Sequence, residues 1–123
     1  WEMPEGGAPF DEDPFDGVRR ELAEEAGLKA AHWQEVLRME MTNSITDERA
    51  IAWLAWGLEP TPGEPDPTEI IRVARVPFMD LIDEIGTGAI RDTFTVATAL
   101  RAYHMAHENQ LPADLARAML SRP

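Results

Sequence analysis

The sequence predicts a mixed α/β domain, on three observations. An amphipathic helical run at residues 15–26 is bracketed by Asp13-Pro14 and Gly27. Two strand-like runs follow, 33–42 (WQEVLRMEMT) and 49–58 (RAIAWLAWGL). The stretch 59–68 (EPTPGEPDPT) holds four prolines, cannot form a regular element, and reads as an acidic loop before a helical C-terminal part. The predicted order is β, α, β, β, β, α, α, which is not a succession of βαβ units.

Each element has its own signal. Residues 1–4 read as a short strand ending at Pro4, and residues 5–14, rich in Gly, Pro and Asp, as a loop. Asp13 suits a helix N-cap and Pro14 the first helical position. Val18, Leu22 and Ala26 recur at i, i+4, i+8 as an apolar stripe, and Gly27 stands where a C-cap glycine belongs. The run 49–58 carries Trp53 and Trp56, which a strand places on opposite faces; core packing is their default role. Residues 69–76 (EIIRVARV) read as another strand. Pro77 opens a helix to about Ile85, stopped by Gly86-Thr87-Gly88, and 90–107 reads as one long helix with Ile90, Phe94, Ala97, Leu100 and Met105 on its apolar face. The last stretch reads as a short helix or tail. His32, His104 and His107 form no HxxxH pair and read as polar surface.

The chain has 123 residues, enough for one domain with a core. Its net charge of −12 repels nucleic-acid phosphates, so no nucleic-acid partner is expected. No apolar run reaches the length of a membrane span, and no secretory signal is visible. The absence of cysteine fits a reducing, cytoplasmic setting. Trp1-Glu2-Met3 reads as the middle of a strand, so the chain is expected to be part of a longer protein.

The segment 6–28, GGAPFDEDPFDGVRRELAEEAGL, concentrates the chemistry. Glu21 and Glu25 lie four residues apart on one helix face, with Glu24 about 60° round from Glu21. Like charges at that spacing cost a few tenths of a kcal/mol. Alone, such a cluster is a solvated face; it becomes favourable where a divalent cation, which wants oxygen ligands, sits among the acids. A glycine-rich loop ahead of the helix permits close backbone approach.

The pattern is Gly6, five residues, Glu12, seven residues, Arg20-Glu21-Leu22, one residue, Glu24-Glu25, one residue, Gly27-Leu28, which is nine specified positions without an insertion. It resembles the Nudix box at every one. The rest of the chain resembles the ADP-ribose and nucleoside-diphosphate-sugar pyrophosphatase branch of the Nudix hydrolases. The resemblance implies a Nudix-type α/β/α sandwich with a mixed β-sheet, residues 1–123 forming one Nudix hydrolase domain that lacks the family's N-terminal strands. It implies an Mg²⁺- or Mn²⁺-dependent pyrophosphohydrolase that cleaves a nucleoside diphosphate linked to another moiety by water attack at phosphorus.

By position, the resemblance makes Glu21, Glu24 and Glu25 metal-binding acids, Glu25 the central one. It adds the Glu5 carbonyl as a further ligand and Glu12 as an outer ligand or brace. Arg20 orients the acids through ion pairs and, with Gly6 and Gly7, lines the substrate. Candidate general bases are Glu69, then Glu64, in the Pro-rich loop and at its end, and Glu48 before the second strand-like run. The resemblance also implies a homodimer acting on a small nucleoside-diphosphate compound. The proline usual in the ADP-ribose subfamily roughly sixteen residues beyond the box is absent, leaving ADP-ribose one option among nucleotide sugars. The alternatives are a MutT-like nucleoside triphosphate hydrolase and a non-catalytic Nudix ligand-binding module.

Overall fold

The protein, seen in a computed structural model, is described over residues 1–6, 12–40, 49–62 and 72–122. The elements in chain order are α1 (Pro14–Ala26), β1 (Leu28–Glu40), β2 (Arg49–Pro60), α2 (Phe78–Thr87), α3 (Thr93–His107) and α4 (Ala113–Leu120). Helices and antiparallel strands make it an α+β protein, the class the sequence predicts. The chain divides into two compact units, Met3–Gln34 with Ala55–Ala74, and Trp1–Glu2 with Glu35–Leu54 and Arg75–Pro123; both strands pass from one unit into the other.

The first unit is built on α1. The Asp13 carboxylate accepts from the Phe15 amide at 2.7 Å and from the Asp16 amide at 3.4 Å, satisfying two of the donors a helix start leaves open. Pro14 follows in the first turn, where no amide hydrogen is needed. Gly27 ends the helix at φ 65°, a left-handed conformation that suits glycine, with its amide on the Ala23 carbonyl at 3.0 Å. The turn sends the chain directly into β1, and the Gly27 carbonyl accepts from the Thr61 amide at 2.9 Å. Lys29 opposite Glu59, Ala31 against Gly57 and His32 stacked on Trp56 at 5.4 Å share one antiparallel register. Phe15 of α1 meets Trp33 of β1 edge to face at 5.7 Å, and the Arg19 guanidinium lies 5.5 Å from the Phe15 ring centre.

The second unit holds a hydrophobic core. Val36 of β1 and Ala52 of β2 pack with Ala102, Met105 and Ala106 of α3, Leu111, and Met119 of α4. Helix α3 packs against both α2 and α4. The Asp92 carboxylate caps α3 by accepting from the Thr95 amide at 3.0 Å and the Thr95 hydroxyl at 2.8 Å. Asn109, at φ 57°, helps reverse the chain between α3 and α4. Arg101 reaches from α3 to donate to the Val36 carbonyl at 3.3 Å.

Several expectations need correction. Residues 1–4 and 72–76 form no strand, and among the described residues the sheet is the two-stranded β1–β2 pair. The run 69–76 was expected as a strand, yet residues 72–76 are irregular with Val73 and Val76 more than half exposed; residues 69–71 lie outside the described residues. Helix α2 runs through Gly86 and ends at Gly88. Helix α3 begins at Thr93 because Asp92 caps it, and its buried face is Thr95, Ala99, Ala102, Met105 and Ala106, with Leu100 exposed. The last stretch forms α4. Residues 41 and 42, expected to end the first strand-like run, lie outside the described residues. No described helix is long and apolar enough to cross a membrane.

Candidate active site

The box residues of α1 come together around Arg20. Its guanidinium uses one edge on Glu12, Nη2 to Oε1 at 3.0 Å and Nε to Oε2 at 3.4 Å, a two-pronged pair. The remaining nitrogen, Nη1, is shared by two acids of the same helix, Glu21 Oε1 at 3.1 Å and Glu24 Oε2 at 3.2 Å. Glu21 is the most covered of the four side chains, at 19% exposure, and Glu24 the least, at 40%. Hydrogen bonding to Glu12 is the chief cause holding the Arg20 guanidinium even further above its ordinary pKa; partial burial opposes it, and the charges of Glu12, Glu24 and Glu21 add to it. Arg20 is therefore a permanent cation here.

One guanidinium against three carboxylates leaves the cluster two charges negative. Its position sharpens the imbalance. Glu24 and Glu25 fall in the last turn of α1, the negative end of the helix dipole, and that turn carries no basic residue. Acids there are each unfavourable by about 0.3–1 kcal/mol. Sequence optimised for helix stability alone would place cations at those positions.

Gly6 approaches this cluster from the preceding loop. A Cβ placed on it would overlap the Glu21 side chain, with Glu21 Oε1 at 2.6 Å. The carboxylate thus lies between the Arg20 guanidinium and the Gly6 backbone, in a space that glycine leaves open. Glu25 stands four residues after Glu21 on α1 and Glu5 just ahead of Gly6; both are half-buried. Gly7, Glu48, Glu64 and Glu69 lie outside the described residues. The structure thus joins Glu12, Arg20, Glu21, Glu24 and Gly6. The Phe15–Trp33 contact that braces α1 joins helix to strand and has no local signal, whereas the spacing of Phe15 and Arg19, four positions apart on α1, signals the contact between those two.

An N-capped helix whose carboxylates share one arginine, entered through a glycine in contact with one of them, is the arrangement the box spacing implied. The NUDIX domain family matches residues 1–96, and the chain belongs to that family. This bears out the resemblance to the Nudix hydrolases. Among solved structures, the crystal structure of an ADP compounds hydrolase is similar with a TM-score of 0.72 at 19% sequence identity. The likeness covers 85% of this chain and 57% of that one, so the chain spans little more than half the length of this neighbour. At that identity it is the fold that is shared. No curated protein matches the chain.

Proposed function

We propose that this chain is a divalent-cation-dependent pyrophosphohydrolase cleaving a nucleoside diphosphate linked to another moiety, ADP-ribose or a nucleotide sugar, by water attack at phosphorus. The observation that carries the reading is the carboxylate cluster gathered around Arg20 at the box spacing on α1. Membership of the NUDIX family supports the chemistry, and the neighbour's description as an ADP compounds hydrolase supports the substrate class.

The residues suit a hard cation. Every donor on α1 is a carboxylate oxygen, the set that Mg²⁺ and Mn²⁺ prefer. The uncompensated negative charge, and a Gly6 backbone that leaves room for the Glu21 carboxylate beside it, fit the same ion. In this reading Glu21, Glu24 and Glu25 hold it, with the Glu5 carbonyl and Glu12 as further ligand and brace. The ion, when bound, neutralises the diphosphate and lowers the pKa of an attacking water. Arg20 keeps Glu21 and Glu24 aimed to one side of the helix, and Gly6 and Gly7 let the diphosphate approach the backbone. Glu69, Glu64 and Glu48 are the proposed general bases, in that order. A cytoplasmic homodimer, with no nucleic-acid partner, completes the proposal.

The test is turnover of ADP-ribose, GDP-mannose, UDP-glucose, dinucleoside polyphosphates and nucleoside triphosphates, with Mg²⁺, with Mn²⁺ and with chelator. We expect cleavage of a nucleoside-diphosphate compound that stops with chelator and falls at least about 10-fold in Glu25→Gln, since even outer partners of a metal site cost that much. Preference for triphosphates would favour the MutT-like alternative. Turnover unchanged by chelator would end the metal assignment.

A further inference from the structure

We infer that Arg20 is a resident counter-ion that competes with the divalent cation for Glu21 and Glu24, while Glu12 anchors it on the far side. The inference rests on the proposed reading of α1 as a metal-binding helix. Its ground is the unequal use of the guanidinium. Nε and Nη2 form a two-pronged pair with Glu12, whereas Nη1 alone is divided between Glu21 at 3.1 Å and Glu24 at 3.2 Å. Both carboxylates come from α1, as does Arg20 itself, so the pairing needs no other element to form.

The electrostatics assign the sign. Without a metal, Arg20 is the cation in contact with this acid-rich helix end, and it lowers the repulsion among the acids. A dication coordinated by Glu21 and Glu24 meets a permanent positive charge about 3 Å from the same carboxylates. Either Nη1 withdraws or the two cations stay close; both weaken metal binding. Orienting the acids works in the opposite direction, but its gain is confined to restricting two flexible side chains, while the repulsion involves a double charge at short range. Glu12 decides where Arg20 goes. Its grip on the other edge leaves the guanidinium paired when Nη1 releases the α1 acids. Arg20 thus stabilises the metal-free helix and yields to the ion without being left unpaired.

Metal-free protein is titrated with Mg²⁺ and Mn²⁺ by calorimetry, and Tm is followed with and without each ion, for wild type, Arg20→Met, Arg20→Lys, Glu12→Gln and Glu25→Gln. We expect Arg20→Met to melt lower than wild type without metal, to bind the ion about 10-fold more tightly, and to show the larger metal-induced rise in Tm. Arg20→Lys keeps the charge and should stay within a few-fold of wild type in affinity, which also covers the case in which Arg20→Met does not fold without metal. Glu12→Gln frees the guanidinium to act wholly on Glu21 and Glu24 and should weaken binding. Weaker binding by Arg20→Met, or equal affinities for the Met and Lys variants, would overturn the inference while leaving the metal helix standing. Wild type and Glu25→Gln that both fail to bind either ion would sink the metal helix, and this inference with it.

Discussion

At Gly6 the deciding quantity is a single methyl group. The Glu21 side chain fills the space where a Cβ would project, so any other residue must push that carboxylate aside. Gly6 itself is exposed and belongs to no regular element, which separates its role from stability. Gly6→Ala is therefore predicted to lower kcat/KM and metal affinity by about 10-fold, the scale on which disturbing the surroundings of a metal ligand acts, with Tm nearly unchanged. Parallel melting curves and metal titrations check it; a large fall in Tm with affinity intact would make the contact structural. This residue also shows what the sequence could and could not convey. Its membership of a spaced pattern was legible, because the pattern is written along the chain. The contact with Glu21 was not, because it brings together in space residues fifteen positions apart in the chain.

At the scale of elements, caps were the most legible features, since all their parts lie within a few residues. Asp13 and Pro14 mark the start of α1 and Gly27 its end, as their types foretold. Strands were read with less success. The β-branched residues of 69–76 favour a strand locally, but a strand exists only where another strand meets its hydrogen-bonding groups, and no local pattern records that. Residues 72–76 and 1–4 have no ladder, whereas β1 and β2 have each other. The long helix starts at Thr93 where the sequence suggests 90, and its packed side holds the expected Met105 together with small residues, Ala99, Ala102 and Ala106, while Leu100 is exposed. The caps yield a graded prediction. Asp13→Ala removes a cap on exposed amides and should cost about 1 kcal/mol. Asp92→Ala removes bonds to the amide and hydroxyl of Thr95, which is 3% exposed, and should cost more, about 2 kcal/mol. Urea denaturation of the two variants beside wild type gives the order, and equal losses would mean that burial of Thr95 adds nothing.

For the whole molecule, the dominant fact is an excess of twelve negative charges, which makes each well-placed cation count. Arg122, near the end of the chain, grips Asp83 of α2 with two bonds, at 2.7 and 3.1 Å, across 39 positions of sequence. Hydrogen bonding to Arg122 is the largest cause holding the Asp83 carboxyl below its ordinary pKa of about 4; loss of water opposes it, and the charge of Arg122 adds to it. The same contact raises Arg122. Because the folded value is the lower one, the unfolded chain takes up the proton first as pH falls. The pair's stabilisation is therefore fully present above about pH 5, begins to fall as the unfolded carboxyl takes up its proton, and is lost on acidification through the folded Asp83 value. Other carboxylates titrate in the same range, so wild type alone cannot isolate the pair; its difference from Arg122→Gln can. The Tm of wild type should exceed that of Arg122→Gln at pH 6 by a constant margin that persists to about pH 5 and closes as the solution becomes more acidic. Both side chains are more than half exposed, so added salt should narrow the margin at pH 6 as well. A margin that survives both acid and salt would show that Arg122 stabilises through the packing of its stem, and that the charge it brings to an acidic molecule contributes nothing.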